Sequence, residues 1–321
     1  MDRPGAVARL RAVVAEFAAT HLPATGRWSV GLSGGPDSLA LTAAAAHVLP
    51  TTALIVDHRL QAGSAAVADA ARTQAMNLGC ADARILGVDI TATGGGPEAA
   101  ARAARYAALD GAREGGPVLL GHTLDDQAET VLLGLGRGSG ARSIAGMCPH
   151  DAPWCRPLLG VRRELTHSAC AELGLTPWQD PHNTDRRFTR ARLRGEVLPL
   201  LEDVLGGGVA EALARTATAL RENTELIDSL ADQALPGVRT GAGLSTGSLA
   251  ALPGPVRRAV IRSWLLAGGA RGLTDQQIRR VESLVTAWRG QGGVAVGSAL
   301  RGQRLVAGRA DGLLRLGCEP V

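Results

Sequence analysis

The sequence predicts an α/β protein built on a doubly wound parallel sheet, followed by a helical region and a small α+β domain. Two observations predict the sheet: short apolar runs recur at intervals of roughly 30 residues, and alanine-rich segments with helical spacing separate them. A third observation predicts the change of architecture, because strand-like runs stop near residue 160 while helical patterns continue.

Four apolar runs are predicted as buried strands. They are WSVGLS (28–33), TTALIVDH (51–58), ARILGVDI (83–90) and PVLLGHT (117–123). Helices are predicted between them at 37–48, 64–79 and 97–114, after an amphipathic helix near the N-terminus. This alternation makes βαβ units, which place the strands parallel.

The second half is predicted to be mainly helical. Helical patterns cover 163–174, 187–205, 208–233, 255–268 and 274–289, and a β-hairpin is predicted within 294–316. The stretch PGVRTGAGLSTGSLAALPGP (236–255) is rich in proline, glycine and serine and is predicted as a linker. We therefore expect a sheet domain over 1–185, a helical linker region over 186–235 and a small domain over 236–321.

The composition is that of a globular protein rather than a membrane or disulfide-rich one. The 321 residues are 45% hydrophobic and 20% charged, and no apolar run approaches the roughly 18 residues needed to span a bilayer. The N-terminus has no secretory pattern, so we expect a cytoplasmic protein without a membrane partner. The five cysteines (Cys80, Cys148, Cys155, Cys170 and Cys318) form no CxxC pair, which argues against a disulfide framework or a zinc finger.

All 34 basic residues are arginine, and the net charge is +4. The absence of lysine excludes a Walker-type P-loop and any mechanism that needs a lysine nucleophile. The run RRFTRARLR (186–194) has five arginines and no acid. Such a run is typical of a solvated helix face, and it is also what a nucleic-acid backbone attracts.

Polar and ionisable residues collect directly after three of the predicted strands. SGGPDS (33–38) follows the first strand, VDHR (56–59) the second and GHTLDDQAET (121–130) the fourth. In an open parallel sheet, ligands bind beyond the carboxyl ends of the strands, so we expect these loops to form one site.

The loop after the first strand has the features of a phosphate site without lysine. Gly34 and Gly35 let backbone N–H groups converge on an anion, and the N-terminus of the following helix adds partial positive charge. Asp37 beside a phosphate is repulsive unless a cation lies between them, so it implies Mg²⁺. The alternative is that Asp37 and Ser38 are ordinary helix caps.

SGGPDS resembles the SGGxDS pyrophosphate-binding loop of the PP-loop (N-type) ATP pyrophosphatases, and further segments narrow the resemblance to tRNA(Ile)-lysidine synthetases. These segments are VDHRL (56–60), PEAAARAARYAAL (97–109), GHTLDDQAETVLLGLGRGSGARSIAGM (121–147), CRPLL (155–159) and WQDPHNTDRRFTRARLRGEVLPLL (178–201). Gln61 and Ala191 depart from the pattern, in which arginine and asparagine are usual, and leave the orientation of nearby arginines open. The chain is also short for the family, and we expect it to lack the second C-terminal domain of longer members.

The resemblance implies an ATP-dependent ligase that joins free L-lysine to carbon 2 of the wobble cytidine of tRNA(Ile) with a CAU anticodon. ATP adenylates the base oxygen and releases pyrophosphate, and the lysine ε-amine then displaces AMP to form lysidine. The implied cofactors are ATP and Mg²⁺. The domain over 1–185 is then the PP-loop catalytic domain, and that over 236–321 binds tRNA. The oligomeric state stays open, with a homodimer as one alternative.

The resemblance also implies a role for each candidate residue. The nucleotide-binding set is Ser33, Gly34, Gly35, Pro36, Asp37, Ser38, Val56, Asp57, His58 and Gly121. The catalytic set is Asp37, Arg102, His122, Asp126 and Glu129. The tRNA-binding set is Arg105, Arg137, Arg142, Arg186, Arg187, Arg190, Arg192 and Arg194.

Several of these roles keep alternatives. Asp126 and Glu129 recognise either lysine or the cytidine. Asp37 and Asp126 are the metal ligands, although Asp125 is an equal candidate for the second position. Arg102 and Arg105 lie three residues apart and can clamp either phosphate or the flipped-out base.

Three other functions fit parts of the pattern. A tRNA thiolase of the same fold, acting on an anticodon-region pyrimidine, is the nearest alternative, but such enzymes use paired cysteines or an iron–sulfur cluster, and only Cys148 and Cys155 come near a suitable loop. A nucleotide-binding regulator without catalysis has no need of Asp37, Asp126 and Glu129 beside phosphate. A Rossmann dehydrogenase is excluded because GxGxxG is absent after the first strand.

Overall fold

A computed structural model describes residues 4–59, 63–89, 97–137, 140–183, 185–241, 243–298 and 303–320. The chain divides into two compact units, one made of residues 1–132 and 146–215 and the other of residues 133–145 and 216–321. The three regions expected from the sequence, with boundaries at 185 and 235, remain predictions. Gln61 lies outside the described residues.

Helices and strands alternate through the first half of the chain. In order they are α1 (Ala6–His21), β1 (Trp28–Gly31), α2 (Pro36–Val48), β2 (Thr51–Asp57), α3 (Ser64–Asn77), β3 (Asp82–Gly87), α4 (Pro97–Ala112), β4 (Val118–Leu120), α5 (Leu124–Arg137), α6 (Ala141–Ile144), β5 (His150–Asp151) and β6 (Trp154–Cys155). The four predicted strands and three predicted helices are all present, with ends shifted by a few residues. The short strands β5 and β6 were not predicted, because two residues are too few to produce a periodic signal.

The second half contains mainly helices and an antiparallel sheet. In order the elements are α7 (Arg163–Glu172), a 3₁₀-helix (Pro181–Asn183), α8 (Thr189–Arg192), a π-helix (Leu193–Val197), α9 (Leu198–Leu205), α10 (Val209–Val238), β7 (Arg239–Thr240), β8 (Gly243–Ser245), α11 (Thr246–Ala251), α12 (Gly254–Ala267), α13 (Asp275–Thr286), β9 (Val294–Val296), β10 (Gln303–Ala310) and β11 (Leu313–Pro320). Within the described part of the chain, no helix is both long enough and apolar enough to cross a membrane.

The first sheet has the order β3-β2-β1-β4-β6-β5, with β5 antiparallel and the others parallel. Val30 of β1 pairs with Ala53 of β2 on one side and with Leu119 of β4 on the other. The strand order therefore reverses between β1 and β4, and ligands bind at such a reversal. This arrangement confirms the predicted α/β class with a parallel sheet.

Strand β2 is buried on both faces of this sheet. Ala53 and Ile55 pack in the core formed with α1, α2, α3 and α7, whereas Leu54 packs in a second core with Leu109 of α4. Helix α2 is buried almost all round, which explains why its alanine-rich sequence has no polar face. The buried sheet holds the loops at the ends of β1 and β4 in fixed positions.

The unit that contains residues 216–321 has its own core and a sheet of order β7-β8-β11-β10-β9. Its core is built around Ile261, Leu265 and Val281. The predicted linker 236–255 was wrong, because the structure places β7, β8 and α11 within it. The glycines and serines of this stretch serve turns and caps instead: Gly241 has φ +61° next to β7, and the Ser245 side chain accepts a hydrogen bond from the Ser248 N–H at 3.3 Å.

Candidate active site

The loop between β1 and α2 is held by serine hydroxyls and a left-handed glycine. Gly34 has φ +80°, a conformation that a side chain would strain. The Ser33 N–H donates to Ser38 Oγ at 3.2 Å, and Ser38 Oγ donates to the Gly35 carbonyl at 3.0 Å. Gly35 is the residue before the first turn of α2, and neither Asp37 nor Ser38 caps the helix. The capping alternative is therefore wrong: Ser38 holds the loop through Ser33 and Gly35, and the Asp37 carboxylate points away from the helix end.

Gly121, just after β4, lies directly against this loop. A Cβ at position 121 would lie 3.0 Å from the backbone nitrogen of Ser38 and 3.1 Å from the carbonyl carbon of Asp37. Only glycine permits so close an approach without moving the loop. The structure thus joins the loops after β1 and β4, as the strand order requires.

Asp37 contacts α7, an element that the sequence did not connect with the site. Its carboxylate accepts hydrogen bonds from the Thr166 hydroxyl and, at 3.3 Å, from Arg163 Nε. Burial raises the pKa of Asp37, and the Thr166 hydrogen bond and the Arg163 charge oppose that rise. The Asp37 carboxylate is therefore largely shielded from water and lies beside the guanidinium of Arg163.

Asp126 and Glu129 share arginine partners with Asp37 and with each other. Arg163 Nη2 donates to Asp126 Oδ1 at 2.6 Å, and Arg163 Nη1 lies 3.6 Å from Glu129 Oε1. Arg194 Nε donates to Glu129 Oε1 at 2.8 Å, and Arg190 Nη1 to Glu129 Oε2 at 3.4 Å. The Glu129 side chain is 0% exposed, so these arginines supply the charge balance that water cannot.

The surroundings of Asp126 keep it ionised. Burial tends to raise its pKa, but the Arg163 charge and the hydrogen bond from the Thr123 backbone, at 2.8 Å, outweigh burial and hold the pKa below its usual range. The Thr123 hydroxyl also donates to the same carboxylate at 2.9 Å. Asp126 is accordingly an anion fixed in orientation.

Asp37 and Asp126 are the candidate ligands for a magnesium ion. Both carboxylates contact the guanidinium of Arg163, so one cation already lies between them. Asp125 points elsewhere: it accepts from the Arg163 backbone N–H at 2.8 Å and pairs with Arg162. No group of three or more His, Cys, Asp or Glu side chains among the described residues can hold a metal alone, so an ion here would need phosphate or water oxygens as further ligands.

A cavity of about 460 Å³ opens beside the ends of β1 and β2. Ser33, Val56, Asp57 and His58 line it, together with Arg105. Its other walls include Gly31, Leu54, Ala71, Leu109, Trp178 and Pro181. An apolar recess with a few polar groups at one edge is what a nucleoside needs.

Two histidine ring nitrogens of the site are buried without a hydrogen-bond partner, and a half-buried arginine also lacks a partner among the described residues. The Nδ1 atoms of His58 and His122 are buried, and neither forms a hydrogen bond with a described residue. Burial, helped by neighbouring arginine charges, lowers the pKa of His58 and lowers that of His122 to about 4, so both rings are neutral at pH 7. Arg105, whose pKa burial also lowers, forms no hydrogen bond or ion pair with any described residue. Such groups mark positions where a bound molecule supplies the partner.

Arg102 lies one turn from Arg105 on α4 and is engaged by an aromatic ring. Its Nη2 donates to the Tyr106 hydroxyl at 3.2 Å, and its guanidinium carbon lies 4.9 Å from the centre of that ring. Tyr106 in turn makes an edge contact with Trp154, with ring centres 4.6 Å apart. The pair Arg102–Tyr106 is exposed enough to be reached from solvent.

The predicted tRNA-binding arginines fall into two groups. Arg190 and Arg194 point at the buried acids, as described above. The others are exposed or half-exposed, and most have an acidic partner: Arg142 pairs with Asp228, Arg186 and Arg192 with Glu196, and Arg187 with Asp185. Arg137 is exposed at the end of α5. Arg190 and Arg194 therefore contact an acid of the site, whereas Arg186, Arg187 and Arg192 pair at the surface.

Sequence reasoning missed Arg163, Thr166 and Arg156. Arg156 is 7% exposed, donates to the Cys148 carbonyl at 2.8 Å and adds positive charge near His122. A signal for Arg163 was present, because it opens a helical pattern shortly after CRPLL. Periodicity gives no indication, however, that this helix start lies against the end of β1.

Two family models match the chain. A PP-loop domain matches residues 7–201, and a TilS substrate binding domain matches residues 244–314. Curated relatives called tRNA(Ile)-lysidine synthase align along the whole chain: that of Mycobacterium bovis is 74% identical over 100% of both chains, and that of Mycobacterium leprae is 70% identical over 100% of both. The corresponding protein of Nocardia farcinica is 60% identical over 96% of this chain and 97% of its own.

A solved structure shares the fold at much lower identity. The U34-tRNA thiolase NcsA from Methanococcus maripaludis, with its [4Fe-4S] cluster, superimposes with a TM-score of 0.55 at 18% identity, over 68% of this chain and 80% of that one. The likeness supports the α/β fold alone.

Proposed function

The chain belongs to the tRNA(Ile)-lysidine synthase family, and on this premise we propose that it joins L-lysine to carbon 2 of the wobble cytidine of tRNA(Ile) with a CAU anticodon, at the expense of ATP. One observation supports placing the reaction at this site. Asp37, Asp126 and Glu129 all contact Arg163, next to the phosphate loop and the nucleoside-sized cavity. An ATP-dependent ligase needs a phosphate-binding loop, a nucleoside pocket and a cluster of charged side chains close together.

In the first step the cytidine O2 attacks the α-phosphorus of ATP and pyrophosphate leaves. The loop over 33–38 and the N-terminus of α2 would hold the pyrophosphate portion through backbone N–H groups. The cavity lined by Val56, Asp57 and His58 would take the adenosine, with neutral His58 offering a hydrogen bond. Asp37 and Asp126 would hold Mg²⁺, which when bound neutralises phosphate charge.

Arg105 is well placed to meet phosphate charge. It lines the cavity and has no acidic partner among the described residues. A guanidinium that is already partly desolvated loses little hydration when it meets a phosphate, and its planar donors match phosphate oxygens. Arg102, on the same helix face, can stabilise the flipped-out base together with Tyr106.

In the second step the lysine ε-ammonium would give a proton to Asp126 or Glu129, the resulting amine would attack carbon 2, and the bond from carbon 2 to the phosphoryl oxygen would break to release AMP. Asp126 and Glu129 would recognise the ε-ammonium, because they are the buried anions of the site. The incoming ammonium would replace one of the arginines that now balance them, so the net charge of the site stays nearly constant. Neutral His122 would lie close to the nucleotide as a hydrogen-bond partner.

The arginines predicted to bind tRNA would hold the anticodon arm while the cytidine leaves the stack. Arg186, Arg187 and Arg192 are exposed, and their acidic partners at the surface are easily exchanged for phosphates. A cytoplasmic location and a homodimer remain predictions, and so does Mg²⁺.

Lysine incorporation tests the proposal. Purified protein is incubated with ATP, Mg²⁺, radiolabelled lysine and an unmodified tRNA(Ile) transcript with a CAU anticodon. The methionine tRNA with the same anticodon serves as the control substrate. We expect ATP-dependent label in tRNA(Ile) and background label in the control. Absence of label in tRNA(Ile), with AMP formed or not, would refute the ligase assignment.

A further inference from the structure

The unit that contains residues 133–145 and 216–321 has a second polar cavity, of about 450 Å³. It lies among α6, α10, α12 and α13. Four arginines line it: Arg142, Arg258, Arg262 and Arg279. The rest of the lining includes apolar side chains, among them Ile227, Pro255 and Leu273, and one acid, Asp275. The cavity thus combines an excess of positive charge with an apolar surface.

Three of the four arginines are fixed by acids within the same unit. Arg142 forms a two-pronged pair with Asp228, one bond of which measures 2.7 Å. Arg279 Nε donates to Asp275 Oδ2 at 2.6 Å. These ion pairs hold the guanidinium groups of Arg142 and Arg279 at the wall of the cavity.

Arg258 is fixed in the same way, but its acid is shared. Arg258 Nη1 lies 3.2 Å from Glu282 Oε2, and Arg257 Nε donates to Glu282 Oε1 at 3.0 Å. One buried carboxylate therefore balances two guanidinium groups. The positive charge around the cavity exceeds the negative charge.

Arg262 is the exception among the four. It is half-buried on α12 and forms no hydrogen bond or ion pair with any residue that the structure describes. Burial lowers its pKa, the neighbouring Arg142 charge lowers it further, and Asp228 opposes both without pairing with it. A partly desolvated cation of this kind gains more from an anion than an exposed, paired arginine does.

We propose that this arginine cavity binds a backbone phosphate of the tRNA, with Arg262 as the central contact, and that the apolar wall receives the adjoining ribose. Eight of its lining residues lie within 244–314, the range that matches a TilS substrate binding domain. The cavity is much larger than a lone phosphate requires, which favours a nucleotide unit of a chain over a free ion. This inference rests on the proposed function, because tRNA is the substrate there.

The test is tRNA binding by Arg262→Gln over a range of salt concentrations. Unmodified tRNA(Ile) transcript is titrated at about 50 to 250 mM KCl, and log Kd is plotted against log salt. We expect affinity about five- to tenfold weaker at about 100 mM KCl and a salt slope smaller by about one, as for the loss of one phosphate contact. Arg262→Lys should recover part of the affinity, since it keeps the charge.

Arg280→Gln is the matched control, because Arg280 is exposed on the same helix α13 as Arg279 but does not line the cavity. It should change affinity less than about twofold. Ser143→Asp, which places a carboxylate inside the cavity, should weaken binding as Arg262→Gln does. If circular dichroism shows that Arg262→Gln does not fold, Ser143→Asp still tests the cavity.

The outcomes separate the alternatives. Equal weakening by Arg262→Gln and Arg280→Gln would show a general charge effect and overturn the cavity as a site, as would wild-type affinity in both cavity variants. Thermal stabilisation by inorganic phosphate that Arg262→Gln abolishes, with unchanged tRNA affinity, would make it a free-anion site and also overturn the proposal. Because binding is measured without ATP or lysine, a failure of lysine incorporation in the wild type would refute the ligase function and leave this measurement valid.

Discussion

The two sides of the candidate active site treat their charged groups in opposite ways. On the acid side, Asp37, Asp126 and Glu129 are all paired with arginine, and Arg163 contacts every one of them. On the nucleotide side, Arg105 has no acidic partner among the described residues, and the neutral His58 has a buried nitrogen without a hydrogen bond. A cationic ligand that binds the acid side must therefore displace an arginine from a carboxylate. A ligand that binds the nucleotide side adds a partner to a group that has none.

The largest effect that tests this contrast is expected from Asp37→Asn. The change removes an anion from the proposed metal position and should lower AMP and pyrophosphate release by about a hundred- to a thousandfold. Release is measured with labelled ATP in the presence of tRNA(Ile). Asp203→Asn, an exposed acid on α9, is the control and should leave the rate unchanged. Near-normal release by Asp37→Asn would contradict the role given to this carboxylate.

Arg163→Gln should have the next largest effect, and we expect it in the free energy of unfolding. It leaves three buried or half-buried acids without their shared cation, which should lower the free energy of unfolding by about 3 kcal/mol at pH 7. Urea denaturation followed by circular dichroism gives the value. Arg187→Gln, which breaks an exposed pair with Asp185, should cost less than about 0.5 kcal/mol. Similar losses in both variants would mean that the acid side does not depend on Arg163.

His122→Asn tests, through pH, a neutral ring that interacts with Asp126 of the acid side and with Arg105 of the nucleotide side. The folded state holds the pKa of His122 at about 4, while the unfolded value is about 6.5, so the unfolded chain binds the proton first as pH falls. The resulting stabilisation is present above about pH 6.5 and is lost as the pH falls towards about 4. We expect His122→Asn to remove about 2 kcal/mol of this pH dependence in urea titrations at pH 7 and pH 4.5. Identical pH profiles for both proteins would show that His122 is not buried as a neutral ring.

The smallest effect is expected from Arg105→Gln. Because the wild-type guanidinium has no internal partner to leave behind, its loss should not unfold the protein, and it should raise KM for ATP about tenfold with kcat little changed. Initial rates are measured over a range of ATP concentrations. Arg72→Gln, an exposed arginine on α3 that pairs with Asp69, is the control. An unchanged KM would remove Arg105 from the nucleotide site.

The sequence predicted the parallel sheet and the three loops at its carboxyl edge, because strand periodicity and strand-end polarity are local properties. It also named Asp37, Asp126 and Glu129 as candidates, and the structure brings these three acids together around Arg163. It did not reveal their shared partner Arg163, since the contact between the start of α7 and the end of β1 depends on packing between segments more than a hundred residues apart. Arg190 and Arg194 are four residues apart and so share one helix face, but the sequence does not reveal that this face meets the buried Glu129, because that contact joins segments about 60 residues apart.

Gly121 has a consequence for how this protein tolerates change. Gly121 has no side chain to contact a ligand, yet a Cβ at this position would lie only 3.0 Å from the backbone nitrogen of Ser38. The exact placement of the phosphate loop is thus set from the neighbouring strand as much as from its own residues. In a library of variants at positions 33–38 and 121, the strictest requirement for one amino acid would fall at position 121, which the phosphate-binding pattern itself does not include.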